Sequence, residues 1–169
     1  MDGTTSSHDR VEAGWQHVRA DGRVRSELLE AAYAEPRLHQ LFPWTGMGEL
    51  HFSRCTEPRW TWDVPYIQPA ADGRYRVSGP RRGESIGPAA TPEQAVAMVV
   101  ENLPPGCGPA FLGTPEELAA HDAGAARRTS KRSWHGPLAR TARRMRRASM
   151  RSDRRDRHDR RGCRPGAPW

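Results

Sequence analysis

The chain has 169 residues, 36 % of them hydrophobic, and a net charge of +7 that is unevenly spread. Residues 1–120 hold 11 basic against 16 acidic residues, net −5, while residues 121–169 hold 16 against 4, net +12. The longest apolar run, Ala95-Val96-Ala97-Met98-Val99-Val100, is far short of the roughly 20 residues that span a bilayer, so membrane-spanning functions are excluded.

The polar start Met1-Asp2-Gly3-Thr4-Thr5-Ser6-Ser7 has neither the basic nor the apolar part of an export signal. Residues 1–8 read as a disordered N-terminus. Val11, Trp15 and Val18 fall at i, i+4 and i+7, one stripe of a helix that Gly22 can terminate. Ser26 can cap a second helix with Leu28, Leu29, Ala32 and Tyr33 inward, and Pro36 should end it. Leu38, Leu41 and Phe42 predict a further helical turn before Pro43.

After Gly48 the period changes from helical to alternating. Leu50 and Phe52 alternate with His51 and Ser53, as in a strand buried on one face. Trp62, Val64 and Tyr66 alternate again, with Pro65 confining that strand to an edge or a bulge. Ala70-Ala71-Asp72-Gly73 is a turn signal, Tyr75 and Val77 mark the returning strand, and Ser85-Ile86 a third. Thr91-Pro92-Glu93-Gln94 then carries an N-cap threonine, proline at the first helical position and a glutamine that can close a capping box. Thr114-Pro115-Glu116-Glu117 repeats the arrangement before a shorter helix through Leu118. The expected fold is α+β: a small antiparallel sheet packed by helices, in one domain over residues 9–120. Residues 121–169 are expected to be a disordered arginine-rich tail, too polar to offset the entropy of ordering, with a short helix over 137–150 as an option.

Chemistry is harder to find. His51, Arg54, Cys55, Glu57 and Asp63 form the best catalytic candidate. On a strand, however, His51 and Cys55 stand about 13 Å apart, beyond the reach a Cys/His pair needs. Cys55 therefore reads as a buried structural thiol. The seven histidines lack HxxxH or HxH spacing, and Cys55, Cys107 and Cys163 lack a CxxC pair, so no metal site is expected. An odd cysteine count without an export signal fits a reducing cytoplasm. Gly106-Cys107-Gly108 follows two prolines and opens no helix, so it reads as a turn rather than a phosphate loop. No cofactor is expected.

The tryptophans point to binding. Trp62 is expected in the core, whereas Trp44 and Trp60 are expected in loops, as lids on the core or as contact residues. Arg54 and Asp63 complete a candidate surface for an unidentified protein or small-molecule partner. The tail offers a rival: Arg143, Arg144, Arg146, Arg147, Arg154 and Arg155 could neutralise phosphates and bind nucleic acid without sequence preference. The same composition is also what a shifted reading frame of GC-rich DNA encodes.

Several strings carry a resemblance: Leu41-Phe42-Pro43-Trp44-Thr45, Phe52-Ser53-Arg54-Cys55, Asp72-Gly73-Arg74-Tyr75 and Pro104-Pro105-Gly106-Cys107-Gly108-Pro109. Over about residues 10–120 the chain resembles a bacterial family of unknown function, number 6193, often labelled "natural product biosynthesis protein". The resemblance implies a cytoplasmic accessory protein found near biosynthetic genes, and supplies no reaction or catalytic residue. Taken together these readings lean away from an enzyme. They favour a non-catalytic accessory or binding protein, with an immunity-type protein inhibitor as a variant.

Overall fold

A computed structural model of the chain describes residues 5–81 and 83–133, with side chains described as far as residue 129. Contacts divide the chain into two units, residues 1–121 and 122–169. The six tail arginines and the optional helix at 137–150 lie outside the described residues.

The first unit opens with α1, Ser7–Asp21, which buries Val11, Trp15 and Val18. Its start is fixed locally: the Ser6 hydroxyl accepts from the Asp9 amide, and the Asp9 carboxylate accepts from the Ser6 amide. Gly22, at φ 66°, ends it in the left-handed conformation that glycine adopts without a Cβ penalty. Helix α2, Ser26–Ala34, buries Leu28, Leu29 and Ala32. Arg25, not Ser26, occupies its cap position, and no side chain caps it. Pro36 begins a four-residue helix, α3, Pro36–His39, where the Arg37 amide donates to the Glu35 carboxylate.

The expected helical turn forms over Pro36–His39 but does not continue through Leu41 and Phe42. Phe42–Gly46 is instead strand β1, paired antiparallel with β2, Glu49–Ser53. A two-residue turn joins them, with Met47 at φ 55° and Gly48 at φ 83°, the signs a type I′ hairpin requires. Strand β3, Tyr66–Pro69, begins only after Pro65. The expected strand through Trp62 and Val64 is therefore irregular chain. Pro65 sits just outside the ladder, so β3 lies between β2 and β4 and not at an edge. Strands β4, Tyr75–Ser78, and β5, Ser85–Ala89, complete a five-stranded antiparallel meander in sequence order.

Helix α4, Pro92–Glu101, packs against β3, β4 and β5, α2 packs against α4, and α1 packs along β1. Leu50, Phe52, Ile67, Tyr75, Val77 and Ala89 join the helical apolar residues in one core. At the α4 cap the Thr91 hydroxyl accepts from the Gln94 amide as expected, but the Gln94 side chain reaches past Thr91 to the Ala90 amide. The second box is reciprocal, joining Thr114 and Glu117 in both directions. Its helix, α5, spans Pro115–Ser133 and so runs well beyond Leu118. Polar and alanine residues with good helix propensity can extend a capped helix without burying an apolar face.

Candidate functional site

Strand alternation places a second set of side chains opposite the core. Register aligns Phe42 with Ser53, Trp44 with His51 and Tyr66 with Ser78. On this face the rings stack into a column. His51 lies parallel to Trp44 on one side, at 4.0 Å between centroids, and to Tyr66 on the other, at 4.5 Å. Trp60 stacks on the far side of Trp44 at 4.9 Å, and Phe42 beyond Trp60 at 6.2 Å. Trp62 stands edgewise to Trp44 and His51.

The non-local partner of this column is the irregular segment between β2 and β3. Ser53 fixes it: its hydroxyl donates to the Cys55 carbonyl at 2.8 Å and accepts from the amides of Cys55 and Thr61. One side chain thus ties both ends of the excursion that returns Trp60 and Trp62 to the sheet. Thr61 adds an acceptor for the Arg54 amide. The segment is also held from outside, where Phe111 and Gly113 accept from Thr56 and Glu57.

Trp44 and Trp60, both expected in loops, are brought together, although Trp44 belongs to β1. Arg54 and Asp63 are brought together as an ion pair at 2.9 Å. Trp62 corrects the reading: it is 56 % exposed rather than in the core, because the strand that would have turned it inward does not form. The expected site omits His51 as the centre of the column and Tyr66 as its end. The alternation of His51 with Leu50 and Phe52 held that signal, since it put His51 on the face opposite the core.

The catalytic candidates do not converge. His51 Nε2 is 2.9 Å from the Glu49 carboxylate. Burial pushes its pKa below the usual 6.5, with the Glu49 bond opposing that shift. Cys55 is fully buried and its thiol faces the Ser53 hydroxyl and the Glu57 carbonyl. Burial raises the Cys107 thiol pKa, with Arg54 opposing, the reverse of what an activated nucleophile needs. Among the described residues no three His, Cys, Asp or Glu side chains are placed to hold a metal ion.

Beside the column, α1, β1 and the 56–60 segment enclose a groove of about 620 Å³. Trp44, Trp60 and Phe42 line one wall, and Ala13, Gly14 and His17 of α1 the other. The indole N–H groups of Trp44 and Trp60 are buried and meet no acceptor among the described residues. Such a group costs about 1–3 kcal/mol when unsatisfied, a cost that the packing of the column must offset.

The fold and this site define a small α+β domain with an aromatic wall and a groove beside it. A family described as "Family of unknown function (DUF6193)" matches residues 9–114, and the chain belongs to it. None of the curated proteins and none of the solved structures compared with the chain matches it.

Proposed function

We propose that the domain is a non-catalytic accessory protein that binds a partner through the aromatic face. Trp44 and Trp60 are its centre, and the Arg54–Asp63 pair is carried on the same excursion. The observation that carries this reading is the half-buried ring column of Trp44 and Trp60, with Trp62 56 % exposed at its edge, beside an open groove. Aromatic residues concentrate binding energy because they bury large areas at low entropic cost. The exposed edge of Trp62 extends the wall into solvent. A role beside natural-product biosynthetic enzymes in the cytoplasm agrees with the family label implied by the sequence strings. An immunity-type inhibitor would use the same face and differ only in its partner.

Alanine at Trp60 would remove a ring from the middle of a stack and is expected to destabilise the domain. The informative variant is Trp62→Ala, which removes the exposed ring and leaves the stacked rings in place. It should melt within a few degrees of the parent yet lower partner capture about tenfold, roughly 1.4 kcal/mol. Capture would be read by mass spectrometry of proteins and small molecules retained from the native cell. Unchanged capture by this variant would sink the reading.

Nucleic-acid binding by the basic C-terminal segment is the second reading. It is favoured by the concentration of net charge +12 in residues 121–169, and by the exposed Arg127 and Arg128 on the described part of α5.

A further inference from the structure

The sheet face that carries the ring column is built in two unlike halves about its middle strand, β3. The helices pack on the other face, against β1, β3, β4 and β5. Register sets the open face in rows across the strands. One row runs Trp44, His51, Tyr66, Ser78 and Ser85, and the next Gly46, Glu49, Gln68, Arg76 and Pro88. In the first row the β1–β2 half is made of large rings and the β4–β5 half of serines. Trp62 raises the ring half further. Its centroid is 4.9 Å from that of Trp44 and 5.7 Å from that of His51, at 76° and 72° to their planes. It therefore stands across the edges of both, 56 % exposed.

The second row repeats the division in charge. Glu49 of β2 is bonded to Gln68 and His51. Burial holds the His51 pKa below 6.5, which leaves the ring neutral at neutral pH, so no cation answers the Glu49 carboxylate. Arg76 of β4 is exposed, and no carboxylate answers it among the described residues. Gln68 of β3 stands between the two, which lie two strand spacings apart, about 9.6 Å. Acid and base thus flank the middle strand, as rings and serines do.

We infer that the domain pairs with a second copy of itself through this face, about a two-fold axis running along β3. Such an axis lays the β1–β2 half of each copy on the β4–β5 half of the other. The raised rings and Trp62 then fill the low ground over Ser78 and Ser85, and Glu49 of each copy meets Arg76 of the other. A surface complementary to itself is what a two-fold interface requires, and sheets packed face to face keep their strands nearly aligned. Five strands make the face about 24 Å wide, at the small end for a specific dimer, so association is reversible. This inference rests on the binding role proposed above and names the occupant of that face.

The test is sedimentation velocity of the full chain, which should shift from one chain to two as concentration rises through the micromolar range. Arg76→Glu and Glu49→Lys should each weaken the dimer at least tenfold, because like charges then face each other across the interface. An equimolar mixture of the two variants should restore it, since every charge again meets its opposite. Ser85 is exposed on the low half, so Ser85→Trp should block docking while the circular dichroism spectrum and melting temperature stay unchanged. A parent that remains a single chain up to half-millimolar concentration would overturn the inference. So would two folded charge variants whose mixture restores nothing, or a folded Ser85→Trp chain that pairs like the parent. Should Glu49→Lys fail to fold, undiminished pairing by Arg76→Glu overturns it instead. The two ideas fail separately. If the parent stays a single chain while Trp62→Ala loses capture of a native partner, the binding role stands and its occupant is not a second copy. If the parent pairs while Trp62→Ala captures normally, the dimer stands and the proposed role falls.

Discussion

His51 shows how a single residue is tied to the packing around it. Two rings sandwich it, Glu49 holds its Nε2, and burial keeps its pKa below 6.5. The unfolded chain therefore takes up a proton more readily than the folded one as pH drops. Stability from neutral His51 is fully present above about pH 6.5 and is lost as pH falls through the lower folded pKa. Between about pH 7.5 and pH 5 the melting temperature of the parent should fall more steeply than that of His51→Phe, which keeps a ring but cannot titrate. Parallel slopes would show that His51 is not the group responsible. Met47 is the opposite case. It is 96 % exposed and holds φ 55° at the hairpin turn, a conformation costing a non-glycine residue about 1 kcal/mol. Since no packing is lost, Met47→Gly should raise the melting temperature by a few degrees, measured by thermal unfolding. A lower melting temperature would mean that the methionine side chain stabilises the turn.

Among the elements, the contact of α1 with β1 decides the shape of the site. Gly14 lies in mid-helix, where alanine would ordinarily gain about 1 kcal/mol in propensity. Here an added Cβ would stand 2.9 Å from the Phe42 ring and 3.2 Å from Pro43. Phe42 cannot yield freely, because Trp60 stacks on it and Trp60 stacks on Trp44. Overpacking of this kind costs about 1–3 kcal/mol, more than the propensity returns. Gly14→Ala should therefore lower stability by about 1 kcal/mol, seen as a reduced urea midpoint with unchanged slope. A higher midpoint would show that the rings adjust without strain. The same two elements explain an error of reading. Leu38, Leu41 and Phe42 have helical spacing, yet helix stops at His39, because Phe42–Gly46 can pair with β2 and place Pro43 in the buried interior.

At the scale of the whole molecule, charge separates two roles. The buried core lies between Val11 and Leu118, in the stretch whose net charge is −5, while the net +12 follows it. If the basic segment binds nucleic acid, the full chain should retard DNA at low salt and release it as salt rises. Chains ending after residue 120 should do neither in the same gel-shift series. Equal behaviour of the two would remove this second reading and leave the aromatic face as the site to pursue. Among the described residues no helix is long and apolar enough to cross a membrane.

How much of this was legible in the sequence follows the range of the forces involved. The C-terminal end of α1 and the starts of α4 and α5 were readable because each rests on contacts within three or four residues: Gly22 in a left-handed conformation, Thr91 with Gln94, Thr114 with Glu117. The alternation of Leu50 and Phe52 similarly fixed which face of β2 meets the core. Continuation of the helical turn through Leu41 and Phe42, strand identity of Trp62 and Val64, and burial of Trp62 differ from the local pattern, since each depends on partners far along the chain. The site itself shows this most plainly. Trp44, Trp60 and the Arg54–Asp63 pair could be chosen by residue type, but only the hydrogen bonds of Ser53 to Cys55 and Thr61 bring the excursion back and stack Trp60 on Trp44. Composition and local spacing determined an acidic α+β domain followed by a basic segment. The ring column, its unpaired indole donors and the groove beside them were decided by tertiary structure, because they arise from strand register and loop closure that no local pattern encodes.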